Sequence, residues 1–290
     1  MNPTLELIEN RRSTRVYNPT PLTEEEKDAI LHAAMRAPTA GAMMLYTIIE
    51  VEDQAAKDRL AVTCDHQPFI ATAPYVLLFL ADYQRWMDLY DAAGCETRGG
   101  ELGIAPRRLS EGDLVLAMMD TLIAAQTAVI AAESLGIGSC YIGDIVENWE
   151  THRQMFALPR YAFPVALLCF GKPASPLRGE QTPRFERKFI VHKGQYRRFT
   201  PAELNEMHLP FGGHSFASRS FANGAQNVVQ HNYLRKFTAD FSIEMVFLVT
   251  SKIACSHIAC SVFWSMRTWP VHVMRFMPLR AGSACFSSFV

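Results

Sequence analysis

Residues 114–135 are almost wholly Ala, Leu, Met, Val and Ile, interrupted only by Asp120, Thr121, Gln126, Thr127, Glu133 and Ser134. The interruptions recur seven apart (Asp120, Thr127, Ser134; Gln126, Glu133), so they line one stripe of a helix. A helix apolar around the rest of its circumference must be buried on most sides, against its own core and a second layer such as a subunit interface. Ser110 with Asp113 forms a capping-box pair at its start, and Gly136 and Gly138 stop it. The length also suits a membrane span of about 20 residues. Asp120, Gln126 and Glu133 fall mid-span, however, where lipid makes each costly, and the pattern predicts no membrane helix.

Shorter patterns flank this one. Residues 3–10 read as a helix with Leu5 and Ile8 on one side. Thr23 followed by Glu24, Glu25 and Glu26 reads as a capped helix start, with acids at the positive end of the dipole. That helix turns Ile30, Ala33, Ala34 and Ala37 inward and breaks at Pro38. Residues 46–51 are a β-branched strand and 54–62 a polar helix. The runs 75–81 and 163–170 lack polar alternation and predict strands covered on both faces. Tyr83, Trp86 and Tyr90 recur at helical spacing, as a core stripe does. The Gly- and charge-rich residues 94–112 read as a mobile loop. Residues 146–156 read as a helix, 173–188 as an extended surface arm, 189–191 as a short strand, and 201–245 as a polar extension that wraps a partner.

Composition narrows the class. A hydrophobic share of 49% with 20% charged residues describes a soluble globular protein with a sizeable core. The net charge of −1 gives no basic field for nucleic acid. The first twelve residues lack an apolar signal core, and the seven scattered cysteines are odd in number and form no disulfide framework, so a reducing cytoplasm is expected. The end of the chain differs from the rest. After Glu244 there are Lys252, Arg267, Arg275 and Arg280 but no Asp or Glu, and residues 246–290 read as an atypical, aberrant tail. Its Cys255, His257, Cys260, His272 and Cys285 match no zinc spacing, and no metal is expected.

The chemistry-bearing stretch is Arg11-Arg12-Ser13-Thr14-Arg15, held between an apolar turn and Val16-Tyr17. Guanidinium forks suit bidentate recognition of phosphate, and Ser13 adds a neutral donor. No carboxylate pair, Ser/His/Asp set or HExxH motif accompanies it. A phosphate-grade cluster without catalytic side chains points to a bound cofactor that carries the reaction.

Four further stretches carry a resemblance. They are Ala37-Pro38-Thr39-Ala40-Gly41, Gln67-Pro68-Phe69, the run from Ala131 to Gly138 (AAESLGIG), and Tyr141-Ile142-Gly143-Asp144; Pro183-Arg184 completes the set. With the arginines, and in this order over residues 5–200, the chain resembles the flavin-dependent nitroreductase family, in particular its NAD(P)H:flavin oxidoreductase and oxygen-insensitive nitroreductase branch. The resemblance implies an α+β fold with a central mixed or antiparallel sheet flanked by helices, and an intertwined homodimer with FMN at its interface. It implies that Arg11, Arg12, Ser13 and Arg15 hold the phosphate and ribityl chain. Gln67 would bond the ribityl or flavin polar edge, and Arg184 would close on the phosphate. Tyr141, Ile142, Gly143 and Asp144 would border the ring through backbone, and Thr39, Ala40 and Gly41 would approach it from the partner subunit.

The implied activity is ping-pong transfer of a hydride from NAD(P)H, through FMN, to a small-molecule acceptor: a nitroaromatic, a quinone or free flavin. The alternatives are an FMN-binding redox sensor or store with little turnover, or a same-fold reductive dehalogenase or dehydrogenase. Three departures stand out. Many relatives carry Asn and Gln after the small-residue turn where this chain has Ala42 and Met44, and a basic residue where it has Thr182. The expected organisation is a flavin-binding domain over 1–200, the polar extension 201–245 and the tail 246–290. A charge at Ala125 or Ala128 is expected to cost both dimer and cofactor.

Overall fold

The computed structural model describes residues 2–175 and 181–208, together with residues 210, 229, 230, 233 and 234. The tail 246–290 and nearly all of the extension beyond 208 lie outside the described residues.

The elements follow the polar and apolar pattern closely. Helix α1 spans Pro3–Asn10 and α2 Glu24–Met35. Strand β1 spans Tyr46–Glu50, α3 Gln54–Thr63, α4 Phe69–Thr72 and β2 Tyr75–Asp82. Then come α5 (Gln84–Ala92), α6 (Cys95–Glu101) and the long α7 (Glu111–Ser134). Strand β3 spans Gly138–Ile142, α8 Trp149–Met155 and β4 Ala162–Gly171, followed by α9 (Arg187–Ile190) and α10 (Pro201–His208). The capping box before α2 forms as expected: Thr23 Oγ1 accepts from Glu26 N at 3.2 Å while Thr23 N donates to Glu26 Oε2 at 2.9 Å. Before α7, Ser110 N donates to Asp113 Oδ2 at 2.8 Å and Ser110 Oγ to the same oxygen at 3.3 Å.

The four strands make one antiparallel sheet in the order β1-β2-β4-β3. All of β2 and β4 is buried, because their alternate residues enter different cores. Leu77, Phe79, Ala166, Leu168 and Phe170 face α2 and α7. Val76, Leu78, Leu80, Leu167 and Cys169 face the other side, with Leu60 of α3 and Ile70 of α4. The absence of alternation in the sequence thus has the cause expected of it, a layer on each face.

Three expectations change. The stretch read as a mobile loop contains α6, and 189–190 close a helical turn rather than a strand. The third concerns α7. Its small residues Ala117, Ala124, Ala125, Ala128 and Ala132 are buried on the sheet and α2, but so are Asp120 and Thr121. Its larger side chains, Val115, Leu116, Met119, Leu122 and Ile123, lie 38–57% exposed. The polar stripe therefore does not mark the outer face, and among the described residues the helix is covered on one side only. Although α7 is long and apolar enough to cross a membrane, its Ala face packs on the sheet and its Asp120 is buried against a turn, as in a core helix.

Candidate functional site

The arginine cluster is anchored by backbone and by two glycines. After α1 the chain runs beside β3, where Ser13 bridges Ser139 in parallel and Thr14 N donates to Ser139 O at 2.9 Å. It continues past the end of β4, where Asn18 N donates to Lys172 O at 2.8 Å and Ala174 N to Val16 O at 3.1 Å. This close approach needs Gly138 and Gly171, which face each other in register across β3 and β4. A Cβ at Gly138 would overlap the Thr14 side chain, and one at Gly171 would overlap Tyr17 and Pro74. Tyr17 fastens the segment from within, donating from its hydroxyl to Thr14 O at 2.6 Å. Burial pushes its phenol well above the ordinary range, so it stays a neutral donor.

Around this segment the structure gathers residues that are far apart in sequence. The Arg15 guanidinium lies over the Phe69 ring, 5.9 Å from its centre. Burial raises the pKa of the Cys140 thiol, and Arg15 and Ser13 nearby oppose that shift. Arg11 lies beside Glu133 and Tyr141; burial raises the Glu133 carboxyl, and Arg11 opposes that shift. No carboxylate stands within ion-pair distance of Arg11 or Arg15 among the described residues. Gln67 Nε2 donates to Asp144 Oδ2 at 2.7 Å and to Cys64 O at 2.9 Å. Both neighbours are acceptors, which fixes the amide's orientation and leaves its carbonyl oxygen as the free polar group. Ile142 is buried at the end of β3, and the exposed Gly143 leads into the short 3₁₀ turn Asp144–Val146. Arg184 stands exposed on the arm, its Nη1 bonded to Thr182 O and Pro183 O. The arm itself returns to the end of α1, where Gln181 Nε2 donates to Glu9 O at 2.8 Å.

Thr39, Ala40 and Gly41 do not join this group. Their turn sits against the middle of α7, where the Asp120 carboxylate accepts from Thr39 Oγ1, from Ala40 N at 3.0 Å and from Leu45 N at 3.3 Å. Asp120 precedes the end of α7 by fourteen residues, about 21 Å at the α-helical rise. The sheet gives the same measure. The turn leads into β1 at the Ala81–Phe163 end, whereas Ser139 pairs with Phe170, seven residues or about 23 Å further along β4. Gly41, Ala42 and Met44 have φ of 55°, 57° and 49°. Asn tolerates this left-handed backbone best among residues with a side chain, so the turn keeps an amide-friendly shape at Ala42 without the amide.

In the sequence Asp120 stood out as one member of the polar stripe and as a charge too costly for lipid, and its contact with the turn was missed. Its isolation inside the apolar run was the available signal, since a buried carboxylate must be satisfied by nearby donors. Cys140 and Glu133, which also border the arginines, carried no signal of their own. Among the described residues no group of three His, Cys, Asp or Glu side chains could hold a metal ion.

Comparison with known proteins agrees with this architecture. The model of the nitroreductase family matches residues 8–172. The oxygen-insensitive NADPH nitroreductase of Salmonella typhimurium is 32% identical over 197 residues, covering 68% of this chain and 76% of that protein. An FMN reductase (NADPH) of Bacillus subtilis is also 32% identical over 197 residues, covering 68% and 75%. The solved structure of B. megaterium NfrA1 superposes with a TM-score of 0.74 at 26% identity, covering 87% of this chain and 99% of that one. Fold, ordered motifs and these matches together make the chain a member of the nitroreductase family.

Proposed function

We propose that this protein is an FMN-dependent oxidoreductase that takes a hydride from NAD(P)H and reduces a small-molecule acceptor: a nitroaromatic, a quinone or free flavin. The observation that carries the proposal is the convergence of residues 11–15, Gln67 and residues 140–144 at one end of the sheet. The donor set there suits FMN. Arg11 and Arg15 have no carboxylate partner among the described residues and match a phosphate. Among the described residues, the buried Thr14 Oγ1 of the same segment has no hydrogen-bond partner. When bound, FMN supplies the redox chemistry, accepting the hydride and releasing electrons to the acceptor in alternate half-reactions.

The chain's own residues bind and orient. Arg11, Arg12, Ser13 and Arg15 would hold the phosphate and ribityl chain, with Arg184 approaching from the arm. Gln67 would offer its free carbonyl oxygen, since its amide N–H groups are spent on Asp144 and Cys64. The stretch Tyr141–Asp144 would border the ring through backbone N–H groups, which favour negative charge developing on it. No side chain here is placed as a dedicated acid or base.

A homodimer completes this reading. The large apolar side chains on the outer face of α7 need a cover, and the Thr39 turn lies too far from the arginines to act with them in one chain. A second copy packed on this face would supply the cover, and the family resemblance has the turn serve the partner's flavin rather than its own. Residues 1–200 would form the flavin-binding unit and 201–245 an extension onto the partner. The free cysteines Cys64, Cys95, Cys140 and Cys169 suit a reducing cytoplasm.

The direct test is to purify the chain, reconstitute it with FMN and add NADPH or NADH without oxygen. Yellow protein whose absorbance bleaches with either donor, and recovers with a quinone, is the expected result. A chain that takes up no FMN would overturn the proposal. One that binds FMN but bleaches with neither donor would be a flavin-binding sensor or store.

A further inference from the structure

The buried carboxylate of Asp120 has no role in the binding scheme above, and its surroundings are specific. It is 3% exposed in the middle of an apolar helix. Its oxygens accept from Thr39 Oγ1, Ala40 N and Leu45 N, and Thr39 Oγ1 accepts in turn from Met44 N at 2.8 Å. No cation pairs with it among the described residues. A buried charge neutralised only by hydrogen-bond donors costs stability relative to an apolar residue, so its contribution lies in what it fixes. That is the shape of one turn. Residues 39–45 contain three left-handed residues, two of them carrying a Cβ, and such a backbone persists only where its surroundings over-determine it. The turn's tip, Gly41 and Ala42, is exposed.

We infer that Asp120 is a positioning residue for the flavin site: through Thr39 and the backbone of Ala40 and Leu45 it holds the Gly41–Ala42 tip in place against the flavin bound by the partner chain. The inference rests on the FMN-binding dimer proposed above. Asp120 touches neither cofactor nor substrate. It sets the geometry of a segment that does, from a place about 21 Å along α7 from the helix end beside which its own chain's Arg11 lies.

The test combines local variants with mixed dimers. Asp120→Asn replaces one acceptor oxygen by a donor facing other donors, and Thr39→Val removes the bridging hydroxyl at nearly constant shape. Each is expected to weaken FMN binding about tenfold or more and to shift the visible spectrum of the flavin that remains bound. Thr39→Ser keeps the hydroxyl and should bind FMN as the parent does. A purely structural residue would lower the melting temperature and leave FMN affinity and spectrum unchanged, and that result overturns the inference. Should Asp120→Asn fail to fold, Thr39→Val against Thr39→Ser still decides.

Mixed dimers test the action across the interface. Chains carrying Arg15→Ala and chains carrying Thr39→Val are co-expressed with different tags and the hybrid is isolated. If the turn serves the partner's flavin, one site of the hybrid carries both defects and the other none, so one parent-like FMN site returns. If the turn acts within its own chain, both sites stay weak and the inference is wrong. Failure of the unmodified protein to bind FMN would instead remove the functional reading itself. Parent-like affinity in Asp120→Asn and Thr39→Val, with binding weakened by Arg15→Ala, would remove only the role of Asp120.

Discussion

Along the inner face of α7, Ala117, Ala124, Ala125, Ala128 and Ala132 sit close on the sheet and α2, while along its outer face Val115, Leu116, Met119, Leu122 and Ile123 project from the chain. Both faces are apolar, so hydropathy cannot tell them apart. Side-chain size does. Alanines let a helix axis approach a sheet closely, and the larger residues are kept for the face where another surface must be met. The one charged side chain of the inner face, Asp120, is there because the Thr39 turn presents donors to it.

A charge on each face should separate the two. Ala128 has no exposed surface, so Ala128→Asp buries an uncompensated carboxylate and should cost ~3–5 kcal/mol, enough to unfold much of the population. The expected loss of both dimer and cofactor from such a charge would then follow from damage to the core. Circular dichroism melts measure this, and an intact cooperative melt would break the distinction. Met119→Lys with Ile123→Lys, on the outer face, should instead leave a folded monomer. Sedimentation would give half the parent mass with an unchanged far-ultraviolet spectrum. An unfolded double variant would mean that this face also belongs to the chain's own core.

The next effect is smaller and local to the exit of α7. Arg15→Ala removes one charge-assisted contact and the stack on Phe69, and should weaken FMN binding by ~1.5–3 kcal/mol. Flavin fluorescence titration reads it directly. Unchanged affinity would detach the arginines from the phosphate.

Most of the fold was legible because its signals are local. The caps at Thr23 and Ser110, the unalternating strands and the glycines after α7 each act over a few residues. The site was legible as an ordered set of short stretches whose residues meet only in three dimensions, such as Gln67 on Asp144. What stayed hidden was long-range. The contact between Asp120 and Thr39 spans 81 residues and leaves no periodicity, and the pairing of Gly138 with Gly171 shows its purpose only once Thr14 and Tyr17 lie over them. The α6 helix was hidden for the opposite reason. Glycines and charges dominate Cys95–Glu101, and intrinsic propensity there argues for a loop.

The smallest expected effect sits at the start of α7, where neither face has begun. Asp113 accepts from Arg107 through two hydrogen bonds of 2.5 and 2.9 Å and closes the capping box with Ser110 N at 2.8 Å. Those Arg107 bonds, ahead of the Ser110 backbone bond and against partial desolvation, hold its carboxyl at about 2, below the ordinary 3.8. A carboxyl with a depressed folded pKa adds stability that is complete above its unfolded value and is lost as pH falls through the folded one. The Asp113 contribution should therefore be intact above about pH 4 and fade toward pH 2. In Arg107→Gln the folded value should climb back toward 3.8, so urea stability falls slightly at neutral pH and its slope across that acid window flattens. Because Arg107 is largely exposed, water and salt screen the pair and keep the change modest. If parent and variant lose stability with the same slope in that window, Arg107 adds nothing and the Ser110–Asp113 pair caps the helix unaided. The angular setting of both α7 faces would then rest on that cap, the Ala-to-sheet contacts and Asp120, without the Arg107 pair.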